Sequence, residues 1–356
     1  MIFFDLKKAF DSVPIRRLLL KLERAGISGQ LLRWIESFLS NRKQRVKFGS
    51  CFSDWNSVLS GVPQGSVLGP VLFIIFVNDC TTAMESEAAM FADDLKIWRE
   101  IRSPADRVCL QNDVDRLQAW TRNWRMSLNA SKTVVMQLSS RPTLTVDAHY
   151  HLDGEMLTVV EQQTDLGVTL HHTLKPSAQC AKAAKRAMGV MRQIKRSFIA
   201  LTPRLFERVY GCFVRPHLEY SVQAWRPWLK KDQKVLEDVQ RRSSKLVQGL
   251  KRKSYEERLE ILKLPPLNFR FDRADLLLAY KMIRGTNPPL PPSDFFENSR
   301  TPWLRGHPFK LQKGKARLDL RRAAFSQRIV DKWNKLPIEV VSAPSSNLFA
   351  QKLNSL

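Results

Sequence analysis

Ile2-Phe3-Phe4-Asp5 and Met90-Phe91-Ala92-Asp93-Asp94-Leu95 decide the fold. In each, a short apolar run ends on an acid. Met1–Leu6 reads as a buried strand, and Ala88–Ala92 with Leu95–Trp98 reads as a hairpin whose tip carries two adjacent carboxylates. An ionised carboxylate at the end of an apolar strand is costly unless something cationic meets it. If the two strands are neighbours, Asp5 comes beside Asp93, and the cluster repels itself unless a cation sits in it. Hard oxygen donors without His or Cys nearby point to magnesium or manganese. Two such ions about 3.5–4 Å apart activate a hydroxyl and stabilise a leaving phosphate oxygen. An Asp-Asp pair is also common in plain turns, so the argument rests on the combination.

Outward from these strands, the first half alternates strand-like and helix-like pieces. Pro14–Ala25 and Leu31–Leu39 have helical periodicity, and Gly26 is a stop signal. Gln44–Phe48 and Phe52–Leu59 read as strands. Ser60–Gly69 is a glycine-rich loop, and Val71–Asn78, apolar all round, reads as a buried helix. Ser103, Pro104 and Asp106 open a helix striped by Leu110, Val114, Leu117 and Trp124. Strands are expected at Thr133–Leu138 and between Met156 and Leu170. Beyond that, helices are expected at Ser177–Arg196, Pro203–Phe213, Asp232–Leu250, Tyr255–Leu262, Phe269–Arg284 and Arg321–Lys335. Thr286–Pro292 is a proline-rich break.

Charge divides the chain in the same place. Residues 1–170 hold 20 Lys+Arg against 19 Asp+Glu, whereas residues 171–356 hold 38 against 15. A neutral half followed by a strongly basic one suggests a polyanionic partner, of which a phosphate backbone is the commonest. On the Ser177–Arg196 helix, Lys182, Lys185, Arg186 and Arg192 fall broadly on one face. Arg305, Lys310, Lys313, Lys315 and Arg317 form a basic, loop-like stretch that could track RNA. Trp225 and Trp228 read as packing residues, and His171-His172 as exposed. Val71–Val77, the longest apolar run, is too short to span a bilayer, so no membrane partner is expected. Asp5, Lys7 and Lys8 interrupt the first apolar stretch, so no signal peptide is expected. The 5 cysteines are scattered without a C-x-x-C, which fits an intracellular, reducing compartment.

These residues resemble a known family. Phe4-Asp5-Leu6-Lys7-Lys8-Ala9-Phe10-Asp11 resembles the first catalytic motif of reverse transcriptases, and Ser60 to Pro70 (SGVPQGSVLGP) their second. Phe91-Ala92-Asp93-Asp94 resembles their aromatic-x-Asp-Asp hairpin, and Leu128-Asn129-Ala130-Ser131-Lys132-Thr133 the lysine motif after it. The ordered set is far more specific than any one member, and its wording is closest to non-LTR (LINE-type) retrotransposon enzymes. The resemblance implies an α+β fold: a polymerase palm with an antiparallel sheet and packed helices, followed by an α-helical basic thumb and tail. The expected divisions are 1–170 (palm), 171–250 (helical thumb-like region) and 251–356 (basic, mostly helical region).

The resemblance also implies roles. Asp5, Asp93 and Asp94 would be catalytic and hold two magnesium (or manganese) ions, with the Leu6 carbonyl as a further ligand. Phe10 would sit under the sugar and exclude a 2′-hydroxyl. Gln64 and Gly65 would line the nucleotide pocket, and Lys132, otherwise an ordinary surface lysine, would lie near the triphosphate. Lys182, Lys185, Arg186 and Arg192 would hold the duplex. Leu166-Gly167-Val168 resembles the primer grip, with Asp165 where an aromatic commonly stands. The partners would be an RNA template, a DNA primer and dNTPs, and nuclear action follows from the family alone. Related polymerases carry a fingers region before the first motif, whereas this chain begins close before Asp5. The expectation is an enzyme truncated at its N-terminus, whose fingers and endonuclease segments belong to the full-length element. The alternative is a catalytically inactive nucleic-acid-binding remnant.

Overall fold

The computed structural model describes residues 1–139, 149–285, 288, 290–300 and 306–356. Arg305 of the basic stretch, and Thr286, Asn287 and Pro289 of the proline-rich break, lie outside the described residues. The chain divides into two compact units, Met1–Leu166 and Gly167–Leu356.

The first unit is built on a five-stranded sheet. Its strands are β1 (Ile2–Phe4), β2 (Glu87–Phe91), β3 (Asp94–Trp98), β4 (Val134–Val135) and β5 (Thr158–Val159), in the order β5-β4-β1-β3-β2. Every pairing is antiparallel except β5 with β4. The β1–β3 register sets Ile2 opposite Ile97, Phe3 opposite Lys96 and Phe4 opposite Leu95. Side chains alternate across a strand. Ile2, Phe4, Leu95 and Ile97 therefore share one face, buried with Leu110, Val114 and Leu117 of the Pro104–Trp124 helix. Phe3, Asp5, Asp94 and Lys96 belong to the other face.

The Pro104–Trp124 helix begins as its sequence predicts. The Ser103 side chain accepts the Asp106 N–H, and the Asp106 carboxylate accepts the Ser103 N–H. Inside that helix Asp113 is fully buried, accepting N–H groups of Glu85 (3.1 Å) and Ser86 (2.8 Å) and the Arg116 guanidinium (2.8 Å). It ties the helix to the start of β2. A second core joins the Ile15–Arg24, Gly29–Leu39 and Leu68–Val77 helices through Leu18, Leu22, Leu39, Phe73 and Phe76. The Leu68–Val77 helix departs from expectation: Val71 and Ile74 are each 49% exposed. Its composition is apolar all round, but only one side meets other elements.

The second unit is mainly helical and has two hydrophobic cores. One gathers Ala187, Met191, Phe206, Tyr210, Leu236 and Phe271, and the other Leu276, Tyr280, Trp333 and Phe349. They adjoin within one helix, Leu267–Arg284. Beside that junction Asp275 is completely buried and paired with both Arg226 (2.7 Å) and Arg328 (2.8 Å). The Asp232–Leu250 expectation shortens to Lys230–Ser244. Arg321–Lys335 resolves into the short helices Asp319–Ala323, Phe325–Arg328 and Val330–Asn334. Pro203–Phe213 becomes Pro203–Val209 running into a wider turn, Tyr210–Val214. Trp225 is buried, its indole N–H donated to the Tyr220 carbonyl (2.8 Å). His171 and His172 are half-buried rather than exposed, their rings 4.5 Å apart.

Candidate active site

The β1–β3 ladder ends at Phe4 opposite Leu95, so the next step brings Asp5 opposite Asp94. β2 and β3 are joined by the tight turn Ala92-Asp93, with Phe91 opposite Asp94. Ala92 is held at φ 54°, a left-handed conformation that non-glycine residues rarely adopt. That turn leaves both Asp93 and Asp94 exposed at the strand end. A cleft of about 490 Å³ opens on this face of the sheet, lined by Phe3, Asp5, Asp94, Lys96, Lys132 and Asp165 among others.

The electrostatics follow from this crowding. Desolvation in the cleft, and then the charges of Asp93, Asp165 and Asp5, push the Asp94 carboxyl above the usual range, against the opposing pull of Lys96. Lys132 Nζ stands 3.9 Å from an Asp5 carboxylate oxygen and is 69% exposed. A tight turn brings it there. The N–H groups of Lys132 and Thr133 both donate to the Asn129 carbonyl, while the Asn129 N–H donates to Asp5 O (2.7 Å). Lys7 N–H donates to Ser127 O (2.8 Å). These two bonds form the Leu6–Leu128 bridge, and neither uses the Leu6 carbonyl.

Other predicted residues stand elsewhere. Phe10 does not line this cleft. Its ring stacks on Phe73 at 4.5 Å and 15°, because burying two aromatic faces against each other is favourable. Gln64 and Gly65 are exposed on their loop and do not line the cleft either. The loop itself is docked on the turn that carries Phe10. Val62 N–H donates to Phe10 O, Gly61 N–H to Val13 O, and Ser60 Oγ to Asp11 O, each at 2.8 Å.

In the second unit the basic helix runs Ser177–Ser197, and its four candidate cations divide between two clefts. Lys182 and Arg186 line one of about 280 Å³ with Tyr220 and His217. Lys185 and Arg192 line another of about 330 Å³ with Arg242 and Asp238. Positions 182 and 186 are one turn apart, whereas 185 and 192 lie about 90° round the helix at 100° per residue. Lys182 donates to Thr169 Oγ1 (2.8 Å), and desolvation followed by Arg186 lowers its pKa.

Sequence reasoning missed the ion pair between Lys96 and Asp165, which lines the cleft and is partly buried. Period-two alternation from Asp94 already places Lys96 on the acidic face. Asp165 comes from a distant strand, and only the tertiary fold brings it there. Carboxylate oxygens are suitable donors for magnesium or manganese. Among the described residues, however, no three His, Cys, Asp or Glu side chains are grouped to hold a metal ion. The fit therefore lies in donor chemistry, centred on Asp5 and Asp94 with Asp93 beside them.

Residues 1–170 match the reverse transcriptase (RNA-dependent DNA polymerase) family. The chain is 30% identical over 241 residues to the RNA-directed DNA polymerase from mobile element jockey of Drosophila funebris, covering 63% of this chain and 25% of that protein. It is 27% identical over 261 residues to the probable RNA-directed DNA polymerase from transposon X-element of Drosophila melanogaster, covering 70% and 28%. The corresponding protein from transposon BS of the same species is 26% identical over 258 residues, covering 69% and 28%. The chain thus spans about a quarter of the length of these curated relatives.

Proposed function

We propose, from the match of residues 1–170 to the reverse transcriptase family, that this chain is the polymerase part of a non-LTR mobile element. It extends a DNA primer along an RNA template. The observation that carries the reading is the register that sets Asp5 opposite Asp94, with Asp93 adjacent and Lys132 3.9 Å from Asp5.

Residues 1–170 act as the palm and the helical region after them as a basic thumb. Asp5, Asp93 and Asp94, with the Leu6 carbonyl, would hold magnesium or manganese. Such ions supply charge neutralisation for in-line attack of a primer 3′-hydroxyl on the α-phosphate of a dNTP. Lys132 faces the departing pyrophosphate, as a positive charge or a proton donor. The family resemblance alone gives Phe10, whose ring stacks on Phe73, the role of discriminating against a 2′-hydroxyl and puts Gln64 and Gly65 beside the nucleotide; none of the three lines the cleft of the acids. Lys182, Lys185, Arg186 and Arg192 contact the backbone of the hybrid.

Primer extension tests this reading. Purified chain is given an RNA template, a DNA primer, dNTPs and magnesium, beside Asp5→Asn and Asp93→Asn. Extension by the wild type, with loss of about 100-fold or more in either variant and unchanged hybrid binding, is expected. Equal activity in wild type and variants would remove the roles given to these acids.

A further inference from the structure

Residues 42–58 form a two-stranded ribbon that sequence reading gave no function. Lys43–Gln44 pairs with Asn56–Ser57, and Lys47–Phe48 pairs with Cys51–Phe52, all antiparallel. Gly49, at φ 61°, opens the two-residue tip, where a primed hairpin turn needs a left-handed residue. Every residue from Asn41 to Ser57 is exposed. Along this ribbon stand Arg42, Lys43, Arg45 and Lys47 against one acid, Asp54.

Its apolar side chains are the unusual part. Phe48 is 86% exposed, Trp55 58% and Phe52 50%. Between the two pairings, one strand advances from Gln44 to Lys47 while the other retreats from Asn56 to Phe52, one residue more. Such a bulge re-aims a side chain. Here it brings Trp55 to the face that carries Phe52, Arg45 and Lys47. The Arg45 guanidinium lies 3.9 Å from the Phe52 ring centroid and 4.5 Å from that of Trp55, and Lys47 Nζ lies 5.4 Å from Phe52. The result is a solvent-facing platform of two aromatic rings bridged by a planar cation.

We infer that this ribbon is a binding surface for single-stranded nucleic acid, with Phe52 and Trp55 stacking bases and Arg45 and Lys47 meeting phosphates. Each part of the platform matches that ligand. Aromatic faces accept any base, guanidinium planes stack beside them, and the excess of cations complements a polyanion. A duplex hides its base faces and would gain from the cations alone. The inference depends on the polymerase reading only for naming the bound strand as template. Its test needs no dNTP, so a failed extension assay leaves it intact.

The full chain is titrated with a short unstructured RNA by fluorescence anisotropy, and the same RNA carrying 4-thiouridine is photocrosslinked and the adducts mapped. Adducts on the peptide spanning residues 45–57 are expected. The double variant F52A/W55A should weaken binding about tenfold or more with an unchanged salt slope. Arg45→Gln with Lys47→Gln should lower that slope by about 1.4, at about 0.7 per phosphate contact on a single strand. F52Y/W55F should retain wild-type affinity. Unchanged melting curves would show that these exposed substitutions leave the fold intact. Adducts confined to other segments, with affinity unchanged in F52A/W55A, would overturn the proposal. Equal weakening toward a fully paired hybrid would overturn the single-strand assignment. Unchanged RNA affinity with a loss of self-association in sedimentation would make the platform a protein contact instead.

Discussion

Gly61 has no room for a methyl group. A Cβ there would stand 2.7 Å from Asp11 Cα and 2.8 Å from Phe10 O, and the backbone is at φ +97°. Both penalties fall on Gly61→Ala, so it should destabilise the first unit by about 2 kcal/mol or more. Thermal unfolding reads this, and Gly65→Ala, with open space but φ +81°, should cost less. The opposed carboxylates predict the other sign. A raised Asp94 pKa means that the folded state binds its proton more tightly than the unfolded chain does. Ionising it as pH rises therefore lowers stability. Asp94→Asn should melt above wild type at neutral pH by a few tenths of a kcal/mol. The gap should close as pH falls below the ordinary aspartate pKa of about 3.9. A variant less stable than wild type at neutral pH would deny that the pair is strained.

At the scale of the element, the Pro104–Trp124 helix depends on its first turn. The Ser103 side chain, the Arg102 N–H and the Arg99 guanidinium hold the Asp106 carboxyl at about 2. A depressed carboxylate pKa contributes stability that is present above the unfolded value and lost as pH falls through the folded one. Wild type should therefore exceed Asp106→Asn in denaturant midpoint at pH 5–7, and the difference should vanish between about pH 4 and pH 2. A pH-independent difference would assign the residue a different role. On the Ser177–Ser197 helix, the division of cations has its own consequence. If both clefts meet phosphate, Lys185→Ala with Arg192→Ala should reduce the salt slope for an RNA–DNA hybrid by about 1.8. Lys182→Ala should reduce it less, since that amine is already donated to Thr169.

At the scale of the whole molecule, each unit holds a fully buried, ion-paired aspartate, Asp113 in the first and Asp275 in the second. In the second unit, buried Asp275 sits where the two hydrophobic cores adjoin and pairs with Arg226 and Arg328, Arg226 also pairing with Asp272. Removing one partner of a buried network strands the others. Asp275→Ala should cost about 3–5 kcal/mol, measured by chemical denaturation, whereas removing the exposed Lys313–Asp331 pair should cost under about 1 kcal/mol.

Local chemistry was enough to read much of this from sequence. The capping residues Ser103 and Asp106 act on their own helix, the two strand-like runs on either side of Asp93-Asp94 predict a hairpin by themselves, with the turn one residue earlier in the structure at Ala92-Asp93, and charge counts need no coordinates. The match of residues 1–170 to the reverse transcriptase family was legible too, because the ordered motifs around Asp5, Gly61, Asp93 and Lys132 lie in the linear order of the chain. Pairing of strands far apart in sequence was not legible. Composition gives no reason for Asp165 to meet Lys96, nor for Phe10 to choose Phe73. A helix apolar on all sides does not say which side is left exposed. The bulge that turns Trp55 toward Phe52 depends on a one-residue difference between paired strands, which exists only once they pair. Short-range hydrogen bonding and charge are written residue by residue, while register and burial arise from which distant segments exclude water together.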